Sequence, residues 1–176
     1  LLAPGRLLRR SIEGDRIPSM ILWGPPGSGK TTVAEVIARL THARFARLSA
    51  VSAGVADLRK VVEEARKLRQ FSGQPTIMCI DAIHRFNNAP QDALLPGVEE
   101  GLVTLIGATT ENPYFEVNSA LLSRSQVYEL EPHDEDTLRE VVRRGAASIG
   151  IEVHADVEAL IARRAGGDAR NALNIL

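Results

Sequence analysis

The chain holds a single cysteine, Cys79. One thiol cannot close an internal disulfide, so no covalent framework staples this fold, and the composition suits a reducing, intracellular compartment. Aromatic residues make up only 4%, which leaves the core to Leu, Ile, Val and Ala. Charges of the two signs nearly cancel, at a net −1, so no global basic field draws the chain to nucleic acid. No apolar run reaches the roughly 18 residues of a membrane-spanning helix, and no membrane partner is expected. Metal-ligand spacing is missing as well. His42, His133 and His154 are scattered, and Cys79 sits inside an apolar run. Neither an initiating Met nor a signal-peptide pattern stands at Leu1-Leu2, and Leu176 falls inside a helical pattern. The expectation is a fragment of a longer protein.

Against these absences stands one dense signal. Gly24-Pro25-Pro26-Gly27-Ser28-Gly29-Lys30-Thr31 fits the phosphate-loop pattern G-x-x-x-x-G-K-[ST]. The apolar run Met20–Trp23 leads in, and a helix-period segment from Thr32 to Leu40 leads out. Glycines allow the backbone to curl until its N–H groups face a phosphate chain, and the helix N-terminus adds positive potential. Lys30 would reach the β- and γ-phosphates, Thr31 would place its hydroxyl on Mg²⁺, and Thr32 follows in the same cradle. ATP with Mg²⁺ is the expected ligand.

Strand-like and helix-like segments alternate through residue 131. Buried strands are predicted at Ser19–Trp23, Thr76–Ile80 and Val103–Gly107, with further strands at Ala43–Leu48 and Gln126–Leu130. Helices are predicted at Leu7–Gly14, Thr31–Leu40, Val55–Gln70, Pro90–Glu99 and Asn118–Leu122. Such alternation predicts an α/β class: a three-layer core on a five-stranded parallel sheet. After Pro132 the pattern is helical only, at Glu135–Ile149, Ala155–Ala165 and from Asp168. Residues 1–131 are thus expected to form the nucleotide-binding core, and residues 132–176 part of an all-helical lid hinged at Pro132.

Chemistry-bearing residues cluster at strand ends. Asp81 closes the strand Thr76–Ile80 in the manner of a Walker B carboxylate and would hold Mg²⁺ with Thr31. Ala82 follows, where many such ATPases carry a Glu that activates water. A methyl group neither accepts a proton nor orients water, so binding is expected to survive and hydrolysis to be badly impaired. An introduced Glu→Ala change, natural divergence with the base elsewhere or lost, and a sequence error all account for it. Glu99, Glu100 and Glu111 are nearby carboxylates that the spacing does not place at the water. Thr110, or failing that Thr109, would present a hydroxyl near the γ-phosphate from the end of its strand. Arg124 ends a short helix, as an arginine finger for a neighbour's site would, or lies on the surface. Arg170 opens the last helix, where an Arg is mildly unfavourable against the helix dipole, and could fold back onto the γ-phosphate. His84, Arg85 and Phe86 either touch DNA or pack the following loop. The pairs Arg9-Arg10, Arg143-Arg144 and Arg163-Arg164 suit solvated helix faces, with a DNA-facing role as the alternative.

The order of GPPGSGKTT, then Asp81-Ala82-Ile83-His84-Arg85-Phe86-Asn87, then GATTENP, Leu121-Leu122-Ser123-Arg124 and Gly167-Asp168-Ala169-Arg170 resembles the AAA+ ATPases of the RarA/MgsA and Werner-helicase-interacting-protein family. The resemblance spans nearly the whole chain. Residues 84–87 with Gln91–Pro96 separate it from general clamp loaders and from motors of the RuvB type, which remain the alternatives. It implies a DNA-dependent ATPase at stalled or damaged replication forks, clamp-loader kinship, a homo-oligomer, and contact with replication or single-strand-binding proteins. Leu1 and Leu2 resemble the segment that lines the adenine pocket. A cytoplasmic, nucleoid-associated site is implied in a bacterium, and a nuclear one in a eukaryote. Departures from the family pattern are Ala82 for Glu, Asn171 for a second Arg, Ser125-Gln126 after the finger, and Pro90 and Gly97. A nucleotide-gated scaffold with little turnover is the reading that Ala82 favours.

Overall fold

The computed structural model describes residues 7–14 and 16–176. Its five strands are β1 (Met20–Trp23), β2 (Arg44–Ser49), β3 (Thr76–Asp81), β4 (Val103–Thr109) and β5 (Gln126–Glu129). They form one sheet in the order β2-β3-β4-β1-β5. Parallel registers pair Ser49 with Asp81, Asp81 with Ala108, and Trp23 with Thr109. The C-terminal ends of β1, β3 and β4 therefore finish level with one another. In open parallel sheets the carboxyl ends of the strands line the usual ligand crevice. β3 and β4 are buried along almost their whole length, as expected for central strands covered on both faces.

The helices, in chain order, are α1 (Leu7–Glu13), α2 (Lys30–Leu40), α3 (Val55–Ser72), α4 (Asn88–Glu99), α5 (Pro113–Glu116), α6 (Ser119–Leu122), α7 (Glu135–Ser148), α8 (Ala155–Ala165) and α9 (Ala169–Ile175), with a 3₁₀ turn at Ile83–Arg85. The predicted elements lie where the sequence put them, with ends shifted by a residue or two. The 3₁₀ turn and α5 are additions. Asn112 accepts from the Tyr114 N–H, and Pro113 occupies the first turn, an N-terminal signal readable in the sequence but attached to a very short helix.

Two compact units emerge. One holds the described residues up to Trp23 and Thr31–Tyr128; the other holds Gly24–Lys30 and Glu129–Leu176. The first unit's core gathers Leu58, Val62, Met78, Ile80, Ile83, Leu94 and Leu105 under the sheet. Here α4 lies so close to α3 and β4 that a Cβ on Gly97 would stand 2.9 Å from a Val62 methyl and 3.3 Å from a Val103 methyl. Glycine at 97 sets that spacing. In the second unit, Leu138, Val142, Ile161, Ala162 and Ala172 join α7, α8 and α9. Buried Glu158 there accepts from Arg143 Nη2 at 2.8 Å and Nε at 3.2 Å.

Candidate functional site

The phosphate loop keeps company with the start of α9. Gly27 has φ +67°, and a Cβ built on it would meet Asp168 Oδ1 at 1.8 Å. The Ala169 N–H donates to the Gly27 carbonyl at 3.3 Å. Asp168 is also the N-cap of α9, accepting from the Asn171 N–H at 3.0 Å. Lys30 is folded onto its own loop and donates to the Gly24 and Pro25 carbonyls, each at 2.7 Å, and to Ser28 Oγ at 3.4 Å. Its ammonium is held below the usual lysine range, first by burial and then by the charge of Arg170, with Asp168 working against both. Arg170 is exposed. A half-buried cation hydrogen-bonded only to neutral acceptors, with a second cation and a single carboxylate near it, is a ready site for an anion. Gly29, at φ +89°, has open space where a side chain would stand. Pro25 and Pro26 shape the bend, and Thr32 is exposed on the first turn of α2. Leu1 and Leu2 lie outside the described residues.

Thr31 is the next residue, and its surroundings are ionic. Its hydroxyl donates to Asp81 Oδ1 at 3.1 Å. The other oxygen, Asp81 Oδ2, accepts two N–H groups of Arg47, from Nη2 at 2.7 Å and Nε at 3.0 Å. Arg47 Nη1 donates onward to Glu35 Oε1 at 3.0 Å. Thr31 and Glu35 are i and i+4 on α2, so one helix face presents both. The Asp81 hydrogen bond and charge push the Arg47 guanidinium further up. Neither Arg47 nor Glu35 was a sequence candidate, because they lie 34 and 46 residues from Asp81 and belong to no motif. A hydroxyl and a carboxylate oxygen that already face each other are hard oxygen donors, the set that suits Mg²⁺. Among the described residues no cluster of three or more His, Cys, Asp or Glu offers a different metal site. Cys79, on the same strand, is fully buried, and burial pushes its thiol up to about 12.

Ala82 is the one non-glycine with positive φ among the described residues, at φ 54° and ψ 44°. It begins the 3₁₀ turn, accepting from the Arg85 N–H at 2.8 Å. Of His84, Arg85 and Phe86, Phe86 is buried in the core, Arg85 is exposed, and His84 Nδ1 lies 2.9 Å from Thr109 Oγ1. Thr109 is buried at the end of β4 and accepts from the Glu111 N–H at 3.0 Å. Thr110 lies one residue beyond the strand and is exposed. The level strand ends therefore bring Thr109 beside the Walker B turn, while Thr110 points its exposure to solvent.

Arg124 occupies the opposite end of the sheet. The Gln126 N–H donates to the Ser19 carbonyl, just before β1 begins, at 2.9 Å. Arg124 itself lines a hollow with Ser19, Val103 and Thr104, at the N-terminal ends of the strands. Its side chain is 40% exposed, and the guanidinium donates to Glu99 Oε1 at 2.6 Å and the Ala120 carbonyl at 2.9 Å. Buried Gln91 fixes the approach to this helix. It donates to the Phe86 and Glu116 carbonyls at 3.0 and 2.9 Å and accepts from the Asn118 N–H at 2.7 Å. Asn118 in turn caps α6 through the Leu121 N–H at 2.8 Å.

A phosphate loop between β1 and α2, a carboxylate closing β3, and a polar end to the neighbouring β4 together define an ATPase of the AAA class. The family model described as "ATPase family associated with various cellular activities (AAA)" matches residues 20–132, and the chain belongs to that family. Over its whole length the chain is 49% identical to Replication-associated recombination protein A of Escherichia coli (strain K12), of which it covers 41%. It is 42% identical to ATPase WRNIP1 of Dictyostelium discoideum, covering 21% of that protein. The resemblance read from the motifs is thus borne out across the full chain. Among solved structures it resembles the Thermotoga maritima RuvB Holliday junction branch migration motor, with a TM-score of 0.78 and 28% identity over 96% of this chain and 56% of that one. The chain spans about two fifths of the recombination proteins it matches.

Proposed function

We propose that this chain is the ATP-binding part of a DNA-dependent AAA ATPase that acts at stalled or damaged replication forks as a homo-oligomer. The observation that carries the reading is the pairing of a phosphate loop and an Asp81–Thr31 oxygen pair with full-chain identity to proteins named for replication-associated recombination. The loop amides and Lys30 bind the phosphates, and Thr31 and Asp81 hold Mg²⁺. When bound, that ion neutralises charge developing on the transferred phosphoryl group. Thr110 or Thr109 senses the γ-phosphate, and Arg170 supports it from α9. Arg124 sits at the N-terminal strand ends, away from Asp81 and Thr31, which favours action on a neighbour's nucleotide. Residues 132–176 belong to a helical lid.

Ala82 leaves the site without a base at the usual position, so ATP is held and turned over slowly. This observation favours a second reading, a nucleotide-gated scaffold whose assembly follows ATP binding. Restoring the carboxylate separates the two. In the full-length oligomer, Ala82→Glu is expected to raise ATP hydrolysis by about 10²–10⁴, the usual range for a positioned general base. That activity should rise further with forked DNA than with blunt duplex. Equal rates for Ala and Glu would place water activation elsewhere. Indifference to every DNA form would remove the fork assignment.

A further inference from the structure

We propose that Arg47 is a positioning residue for Asp81, selecting which carboxylate oxygen is presented to the divalent cation. The inference rests on the reading of Thr31 and Asp81 as the magnesium ligands. In the β2–β3 register Arg47 pairs with Cys79 and Ser49 with Asp81, so the Arg47 side chain reaches forward along the strands to the carboxylate. There it spends two N–H groups on a single oxygen, Oδ2, at 2.7 and 3.0 Å, and turns its remaining arm to Glu35 at 3.0 Å. The opposite oxygen, Oδ1, is left to the Thr31 hydroxyl at 3.1 Å.

Fold stability is a poor reason for this arrangement. Arg47 is 49% exposed and Glu35 42% exposed, and exposed ion pairs contribute between nothing and about 1 kcal/mol. Orientation is a better one. A carboxylate free to rotate offers either oxygen or both. One whose Oδ2 is gripped by a planar fork, itself anchored on the helix that carries Thr31, offers Oδ1 alone. A fork can do this where a lysine cannot, because lysine brings one point charge without a fixed plane. Groups that orient a metal ligand in this manner typically contribute tenfold or more to metal affinity.

The test is ATP binding by calorimetry with and without Mg²⁺. The unaltered chain is expected to bind ATP more tightly in Mg²⁺ than in EDTA. No difference would overturn the magnesium reading and this inference with it. In Arg47→Gln the affinity in EDTA should stay within about twofold, while the gain from Mg²⁺ shrinks about tenfold. A gain equal to that of the unaltered chain overturns the positioning role and leaves the magnesium reading standing. A larger gain also overturns it, by making Arg47 a competitor of the cation. Arg47→Lys should recover less than half of the loss, and full recovery would mean that charge without orientation suffices. Should Arg47→Gln fail to fold, Glu35→Gln decides the matter. It frees the anchor, keeps the guanidinium, and is expected to cost about threefold of the same magnesium gain. No change there overturns the proposal.

Discussion

Lys30 and Thr31 are neighbours in sequence, yet their surroundings are of opposite kinds. Lys30 bonds only to carbonyls and a hydroxyl, with the cation Arg170 depressing its ammonium further and the Asp168 carboxylate opposing it. Thr31 enters a network in which the carboxylate of Asp81 already has its guanidinium, and that guanidinium a second carboxylate. One region holds a cation with no carboxylate bonded to it, and the other is balanced in its partners, two carboxylates sharing one guanidinium, before any ligand arrives. The balanced region is built in advance, whereas the unbalanced one gains a partner when phosphates bind. Preorganisation and affinity are thus divided between two adjacent residues.

The contrast can be broken most severely from outside both regions. In a full-length oligomer carrying Glu at position 82, Arg124→Ala is expected to lower hydrolysis by about 10³–10⁵, as loss of an arginine finger does elsewhere, while each protomer still binds ATP. Mixing that variant with Lys30→Ala should restore part of the activity, since one protomer brings the finger and the other an intact site. A mixed oligomer as inactive as its parents would make Arg124 a surface residue held by Glu99.

Removing the unbalanced charge comes next. Lys30→Ala should weaken ATP binding at least about a hundredfold, the scale of losing one partner of a desolvated charge pair. Unchanged affinity would remove the phosphate-loop assignment. The same residue predicts a pH dependence. Phosphates favour the charged ammonium, so ATP affinity should fall as pH rises through the depressed Lys30 pKa, by about tenfold per pH unit until the bound form also titrates. Arg170→Ala removes a charge that lowers this pKa, so the onset of the fall should move to higher pH. An onset that stays put would separate Arg170 from Lys30.

The smallest effect belongs to the turn beside the balanced region. Ala82 adopts φ 54°, a conformation that costs an L-residue about 1–2 kcal/mol and glycine almost nothing. Ala82→Gly should therefore stabilise the chain by about 1 kcal/mol in denaturant unfolding. Lower stability would mean that the Ala82 methyl group packs more than it strains.

Much of the fold was legible because its signals are local. Apolar runs such as Met78-Cys79-Ile80 become central strands, and the amphipathic spacing of Leu58, Val61, Val62 and Ala65 becomes the buried face of α3. The remainder depends on what meets what. Arg47 reads as an ordinary charged residue in a short strand until the parallel register sets it beside β3. Thr109 and Thr110 are the same residue type in adjacent positions, and only the end of β4 buries one and exposes the other. His84, Arg85 and Phe86 looked like one basic–aromatic group, yet the turn sends Phe86 into the core and leaves Arg85 in solvent. The departure at position 97 has a steric reason in the Val62 and Val103 methyls. The sequence pointed Arg170 of α9 at the γ-phosphate, but not the contact that puts the phosphate loop in one compact unit with that helix, Asp168 meeting Gly27 across some 140 residues of chain.

That meeting has a consequence for how the sequence can drift. Position 27 answers to two requirements, a curled backbone with φ +67° and an empty Cβ site against Asp168. A lineage that abandoned hydrolysis, or nucleotide altogether, would release Lys30 and the residue at 82 from selection. It would still keep glycine at 27, because any larger residue there pushes on the carboxylate that caps α9. The most recognisable glycine of a catalytic motif would then outlast the chemistry it advertises.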